Sequence, residues 1–200
     1  MSKNVKTFSL ALAFGLVFTV LASFSGFATS CDGIRDNVLR LHILPNSDST
    51  DDQHLKLLVR DDLLAAAEDM LDSCDTKEEA VECLRQNRDY LQSVARDTVV
   101  CNGYDYTVDI QIKKADFDTR VYEDFTLPAG EYDALCVTIG EAAGQNWWCV
   151  MFPTLCIGAA ADKTDRLPDD QAEVMGGGER FQVKFRAVEI FEEIRAVLNF

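Results

Sequence analysis

The sequence predicts an α+β domain, with three main helices packed against one face of a mostly antiparallel sheet of about four strands. Three observations predict it. Residues 37–44 (NVLRLHIL) and 104–112 (YDYTVDIQI) alternate side-chain character with the period of two that a strand requires. Residues 50–70 and 76–94 instead place apolar side chains three or four positions apart, the period of a helix. Helical spacing returns over 181–200, so the element order reads β-α-α-β-β-β-α.

The chain opens with MSKNVK, where Lys3 and Lys6 are the last charges before Asp32. The apolar run FSLALAFGLVFTVLASF follows, then the small residues GFATSC. A basic start, an apolar middle and a small-residue exit are the layout of a secretory leader, so residues 1–30 read as a signal peptide or an N-terminal membrane anchor. Cleavage fits after Ala28 or after Ser30, and Ala28-Thr29-Ser30-Cys31 also admits a lipoprotein exit with Cys31 acylated. No later segment is long and apolar enough to span a membrane, which places residues 31–200 in one extracytoplasmic compartment as a single domain.

In the first strand, Leu39, Leu41 and Ile43 share one face while Val38, Arg40 and His42 share the other. Pro45 ends it, and Asn46, Ser47, Asp48 and Ser49 offer caps for a helix starting near Thr50, with Asp51 and Asp52 in its first turn. Its apolar stripe is Leu55, Leu58, Val59, Leu63, Ala66 or Ala67, and Met70. Thr76-Lys77-Glu78-Glu79 is a capping-box pattern opening the second helix, whose buried face is Ala80, Cys83, Leu84, Leu91 and Val94. Asn102-Gly103 breaks the chain before the YDYTVDIQI strand. A strand with Leu135, Val137 and Ile139 on one face is followed by the glycine-containing turn EAAGQN and then WWCVMF, which reads as a hairpin. Residues 158–180 are small, polar and glycine-rich and read as a flexible surface loop. In the last helix Phe181, Phe185, Val188, Phe191 or Ile194, and Leu198 form the core stripe.

The formal net charge of −15 repels nucleic acid and anionic lipid, which excludes both as partners. Seven cysteines in an exported chain favour disulfides over metal, and with no CxxC spacing and only two histidines a metal site is not expected. Cys149 and Cys156 bracket the Phe-Pro turn in MFPTLC and form the candidate disulfide; the competing reading makes several cysteines small buried apolar residues.

No catalytic constellation stands out. His42 lies near Ser47, Asp48 and Ser49, but there is no GxSxG elbow, and a strand histidine beside a helix cap explains the same residues. SDSTDDQ lacks calcium-loop spacing, and the glycines at 176–178 lack the Lys-Ser/Thr of a phosphate loop. No cofactor is implied, and the chain does not read as an enzyme.

Two stretches are denser in polar and aromatic side chains than packing demands. One holds Arg40, His42, Asn46, Asp48, Arg60 and Asp61; the other holds Asn146, Trp147 and Trp148. Adjacent tryptophans on a strand point to opposite faces, so at least one indole meets another layer of the protein, a ligand or a partner. These residues are the candidate partner-binding set.

The same stretches resemble the stage II sporulation protein R family. The likeness rests on LRLHILPNSDSTDDQHLKLLVRD, LPAGEYDALCVTIGEAAGQNWWCVMFPTLC and KFRAVEIFEE. One departure is Thr154, where members usually carry a second proline. The resemblance implies an exported forespore protein, acting in the space between the forespore and mother-cell membranes. There it would trigger a membrane-embedded aspartic protease that removes the pro-sequence of sigma factor E. It does not say which residues make the contact. An envelope lipoprotein or ligand-binding module, and a secreted hydrolase using His42, are the rival readings.

Overall fold

The computed structural model describes residues 3–122, 125–153, 167–177 and 181–190. They form one α+β domain around a four-stranded mixed sheet. The strands are β1 (Leu39–Leu44), β2 (Val108–Phe117), β5 (Gly130–Ile139) and β6 (Trp147–Phe152), in the order β2-β5-β1-β6. A two-stranded ribbon, β3 (Arg120–Val121) with β4 (Thr126–Leu127), lies apart from it. β1 runs parallel to β5, with Leu41 opposite Leu135, and antiparallel to β6, with His42 opposite Trp148. β2 pairs antiparallel with β5 over its whole length.

Two sequence expectations are corrected by this topology. The sheet is mostly antiparallel as expected, with β1–β5 its one parallel pairing, but the expected hairpin of β5 with β6 does not form, because β1 lies between them. β1 is covered on both faces, with Leu39, Leu41 and Ile43 on one and the buried Arg40 on the other, so it takes a central position, and the turn between β5 and β6 arches over its end. The second correction concerns the helices, which cover both faces. On β5, Leu135, Val137 and Ile139 belong to one apolar cluster, while Tyr132, Ala134 and Cys136 belong to another. A strand buried on both sides needs two covering layers.

The first layer is α2 (Thr50–Asp72), α3 (Lys77–Gln86) and α4 (Arg88–Cys101). Ser49 caps α2 as its side chain accepts from Asp52 N, and Leu55, Val59, Leu63, Ala67 and Leu71 face the sheet. Thr76 caps α3 by accepting from Glu79 N, and Glu79 Oε2 accepts from Asp75 N in return. The single second helix expected over 76–94 is broken at Asn87, whose backbone N and side-chain Nδ2 both donate to the Cys83 carbonyl and close α3. Tyr104 and Tyr106, expected within a strand, precede β2 and stack on one another at 5.3 Å.

The second layer uses α1 (Lys3–Asn37), α5 (Asp169–Gly176), the helix α6 over 181–190 and the β3–β4 ribbon. The segment read as a leader is thus the front of a continuous helix. Its early apolar residues Phe8, Leu10, Leu12, Phe14, Leu16 and Phe18 lie exposed, whereas Phe27, Cys31 and Ile34 are buried against the sheet. Among the described residues no helix is long and apolar enough to cross a membrane.

Within the expected 158–180 loop, Asp169–Gly176 is helical and buries Gln171, Val174 and Met175. Asp169 and Asp170 favour its N-terminal turn, and Gln171 Oε1 accepts from Asn37 Nδ2 at 3.0 Å. Its short length between small residues hid the period. Residues 158–166 and 178–180 of that loop, Cys156 and Phe191 onward lie outside the described residues. In α6, Phe185 and Val188 are buried as the spacing requires.

The turn between β5 and β6 fits around the β1–α2 loop. Gly140 has a φ of 59°, and a Cβ on Gly144 would run into the Ser47 carbonyl. Backbone cannot yield as a side chain does. Gly144→Ala is therefore expected to cost about 1–3 kcal/mol in urea unfolding, whereas Ala143→Gly should stay within about 0.5–1 kcal/mol.

Candidate functional site

The sheet divides the candidate residues into two groups. β1 and β6 are in antiparallel register, so Arg40, His42 and Trp148 point to the second layer while Trp147 points to the first. Each indole is half-buried against a layer of this same chain, and each indole N–H is buried with no hydrogen-bond partner among the described residues. Sequence physics alone thus separated the two rings correctly, and the structure supplies the cover for each.

On the first face, the β1–α2 loop is laced to the β5–β6 turn. Asn46 Oδ1 accepts from Glu141 N at 3.0 Å, and Asp48 Oδ1 accepts from Gln145 N at 2.5 Å. Lys56 Nζ donates to Gln145 O at 2.9 Å. Beneath them the buried Asp52 carboxylate accepts from Asn46 Nδ2 at 2.9 Å and from Ser47 Oγ at 2.5 Å. Burial pushes the Asp52 carboxyl up, but the hydrogen bonds from Ser47 and Asn46, then Tyr106 and Ser49, prevail and hold it below the usual range. Asn46 and Asp48 are thus occupied in joining two loops. Beside this lacing, the Arg60 guanidinium stacks on the Trp147 ring at 4.6 Å, oriented by Asp61 at 2.8 Å from Arg60 Nε. Asp61 and Asn146 are exposed and flank that stack.

On the second face Arg40 has no exposed surface. Its guanidinium lies 4.0 Å from the Phe117 centroid and 5.0 Å from that of Tyr132, with Nη2 donating to Tyr122 Oη at 3.1 Å. Nε and Nη1 have no hydrogen-bond partner among the described residues. Trp148 lies 5.6 Å from Phe117 and 6.1 Å from His42, and Arg120 sits over its ring at 5.6 Å. A fully covered Arg40 cannot itself touch a partner, which removes it from the contact set and makes it a support for the aromatic cluster.

Burial, then Arg40 and Lys113, push the His42 imidazole below its usual pKa. With the folded value below the unfolded one, His42 is neutral near pH 7, and it withdraws stability as pH falls below about 6.5 and the unfolded state takes up the proton first. An NMR titration is expected to give a His42 midpoint below the ordinary histidine value of about 6.5. A midpoint at or above that value would contradict the assigned surroundings.

Cys31, the alternative acylation point, is fully buried between Phe27 and Ile34, and burial pushes its thiol up to about 12.

Sequence reasoning missed Asp52, Tyr106, Phe117 and Tyr122. Asp52 was visible only as a helix-terminal acid, and the aromatic residues carry no local sign of their meeting across the sheet.

A family model described as stage II sporulation protein R matches residues 35–162. The stage II sporulation protein R of Bacillus subtilis (strain 168) is 37% identical over 123 residues, covering 62% of this chain and 55% of that protein. The chain thus spans about half the length of that curated relative. No solved structure matches. The matched region runs from the end of α1 through both loops and both tryptophans, and the chain belongs to the stage II sporulation protein R family.

Proposed function

We propose that this chain is an exported sporulation signal that activates a membrane-embedded aspartic protease, and is not itself a hydrolase. In this reading it acts between the forespore and mother-cell membranes, and the protease then removes the pro-sequence of sigma factor E. The apolar front of α1 serves as its export leader or anchor. Family membership supports the sporulation role. The observation that carries the contact is the Arg60–Trp147 stack, a half-exposed aromatic and guanidinium pair on a rigid strand and helix. Such pairs are frequent anchors of protein interfaces. Binding there would favour the active state of the receptor through greater affinity for it. A disulfide between Cys149 and Cys156, which bracket the Phe-Pro turn, belongs to the same reading.

The test is co-expression with the protease and the sigma-factor precursor in a host that does not sporulate, followed by immunoblot of the precursor. Shortening that requires this chain and its export is the expected result. Arg60→Ala with Trp147→Phe is expected to slow processing at least about tenfold, one unit of log affinity being about 1.4 kcal/mol, with folding retained. Normal processing by that double variant would move the contact elsewhere. No processing by the wild-type chain, with all three proteins present and exported, would overturn the signalling reading.

A further inference from the structure

We propose that Cys74 and Cys83 are an oxidation site, closing to an intrachain disulfide that clips the end of α2 to α3. Both are thiols in this structure. Cys74 follows the C-cap of α2, and its Sγ donates to the Met70 carbonyl at 3.3 Å. Cys83, on the second turn of α3, reaches the same oxygen at 3.9 Å. Two sulfurs directed at one acceptor from adjoining helices lie in each other's neighbourhood, and the two side chains also hydrogen-bond one another. The capping bonds of Asp75, Thr76 and Glu79 hold that approach fixed.

The surroundings assign unequal roles. Cys83 is half-buried, so a small disulfide can reach it, and it accepts a hydrogen bond from Asn87 Nδ2 at 3.8 Å. Cys74 is buried, and burial, then Cys83, raises its thiol. With a small disulfide such as oxidised glutathione as oxidant, the Cys83 thiolate attacks one glutathione sulfur and expels the other as a thiolate. Cys74 then loses its proton and attacks Cys83 Sγ, forming the Cys74–Cys83 bond and expelling the second glutathione. Two protein thiols are oxidised and one glutathione disulfide is reduced to two thiols. The other described thiols offer no rival partner in place: Cys31 and Cys136 lie in the cluster on the far face of the sheet, and Cys101 is exposed at the end of α4.

This inference does not depend on the signalling reading, because purified protein tests it. The full chain carrying Cys101→Ser, which prevents intermolecular pairing, is incubated with excess oxidised glutathione, blocked with N-ethylmaleimide and digested with trypsin. Lys77 separates the two cysteines, so the disulfide joins peptide 61–77 to peptide 78–85 in one reducible species. That species is the expected result, with a midpoint about 5–10 °C above that of the equally treated Cys83→Ser protein. Recovery of both peptides as maleimide adducts, or of Cys83 held as a stable glutathione adduct, would overturn the proposal.

Discussion

Asp52→Ala is expected to lower the stability of the domain by about 3 kcal/mol, since hydrogen bonds to a buried charged group contribute about 1.5–3 kcal/mol each and the orphaned donors stay buried. Asn46 Nδ2 and Ser47 Oγ both end on this carboxylate, and the Tyr106 hydroxyl also donates to it. Loss of the acceptor frees Asn46, which also holds Glu141 N, so the damage extends to the turn that leads into β6. The effect depends on pH in a definite direction. The folded carboxyl sits below its unfolded value, so its contribution is complete above the unfolded pKa of about 4 and is lost as pH falls through the lowered folded one. Urea unfolding of wild type and Asp52→Asn should therefore differ at pH 7 and converge in acid. A difference that stays constant from pH 7 to pH 3 would show that the charge on Asp52 plays no part.

For Arg40 the substituent decides the outcome. Arg40→Ala removes a fully buried side chain from between Phe117 and Tyr132 and is expected to cost about 3 kcal/mol through the cavity it leaves. Arg40→Met keeps most of the volume and removes a buried charge, which among the described residues donates a hydrogen bond only to Tyr122 Oη. Its stability should lie within about 1.5 kcal/mol of wild type, because a buried charge carries a desolvation penalty that an apolar replacement does not. Equal losses for Ala and Met would mean that the cation itself stabilises the aromatic cluster. The methionine variant then separates stability from signalling: a folded Arg40→Met protein that processes the precursor normally confines Arg40 to packing.

Local chemistry made much of the fold legible. The alternation around Arg40, the caps at Ser49 and Thr76, and the stripe of Leu55, Val59 and Leu63 each depend on residues within a few positions of one another. They emerge as read. The broken helix at Asn87 and the short helix Asp169–Gly176 were illegible for the same reason in reverse. One turns on a hydrogen bond to Cys83, and the other on two turns of chain too brief to show a period. The candidate site was legible as a set of residues but not as an arrangement. Asn46, Asp48, Arg60 and Trp147 do gather on one face, whereas Arg40, His42 and Trp148 gather on the other.

By itself the sequence determined the family, the α+β class, the period of β1 and α2 and the opposition of the two indoles, all properties of local spacing. Tertiary structure alone decided that β1 lies between β5 and β6, that helices cover both faces, and that Arg40 is sealed among aromatic rings. Those outcomes follow from burying a sheet that is apolar on both sides. That free energy belongs to contacts between distant segments, and no window of neighbouring residues contains them.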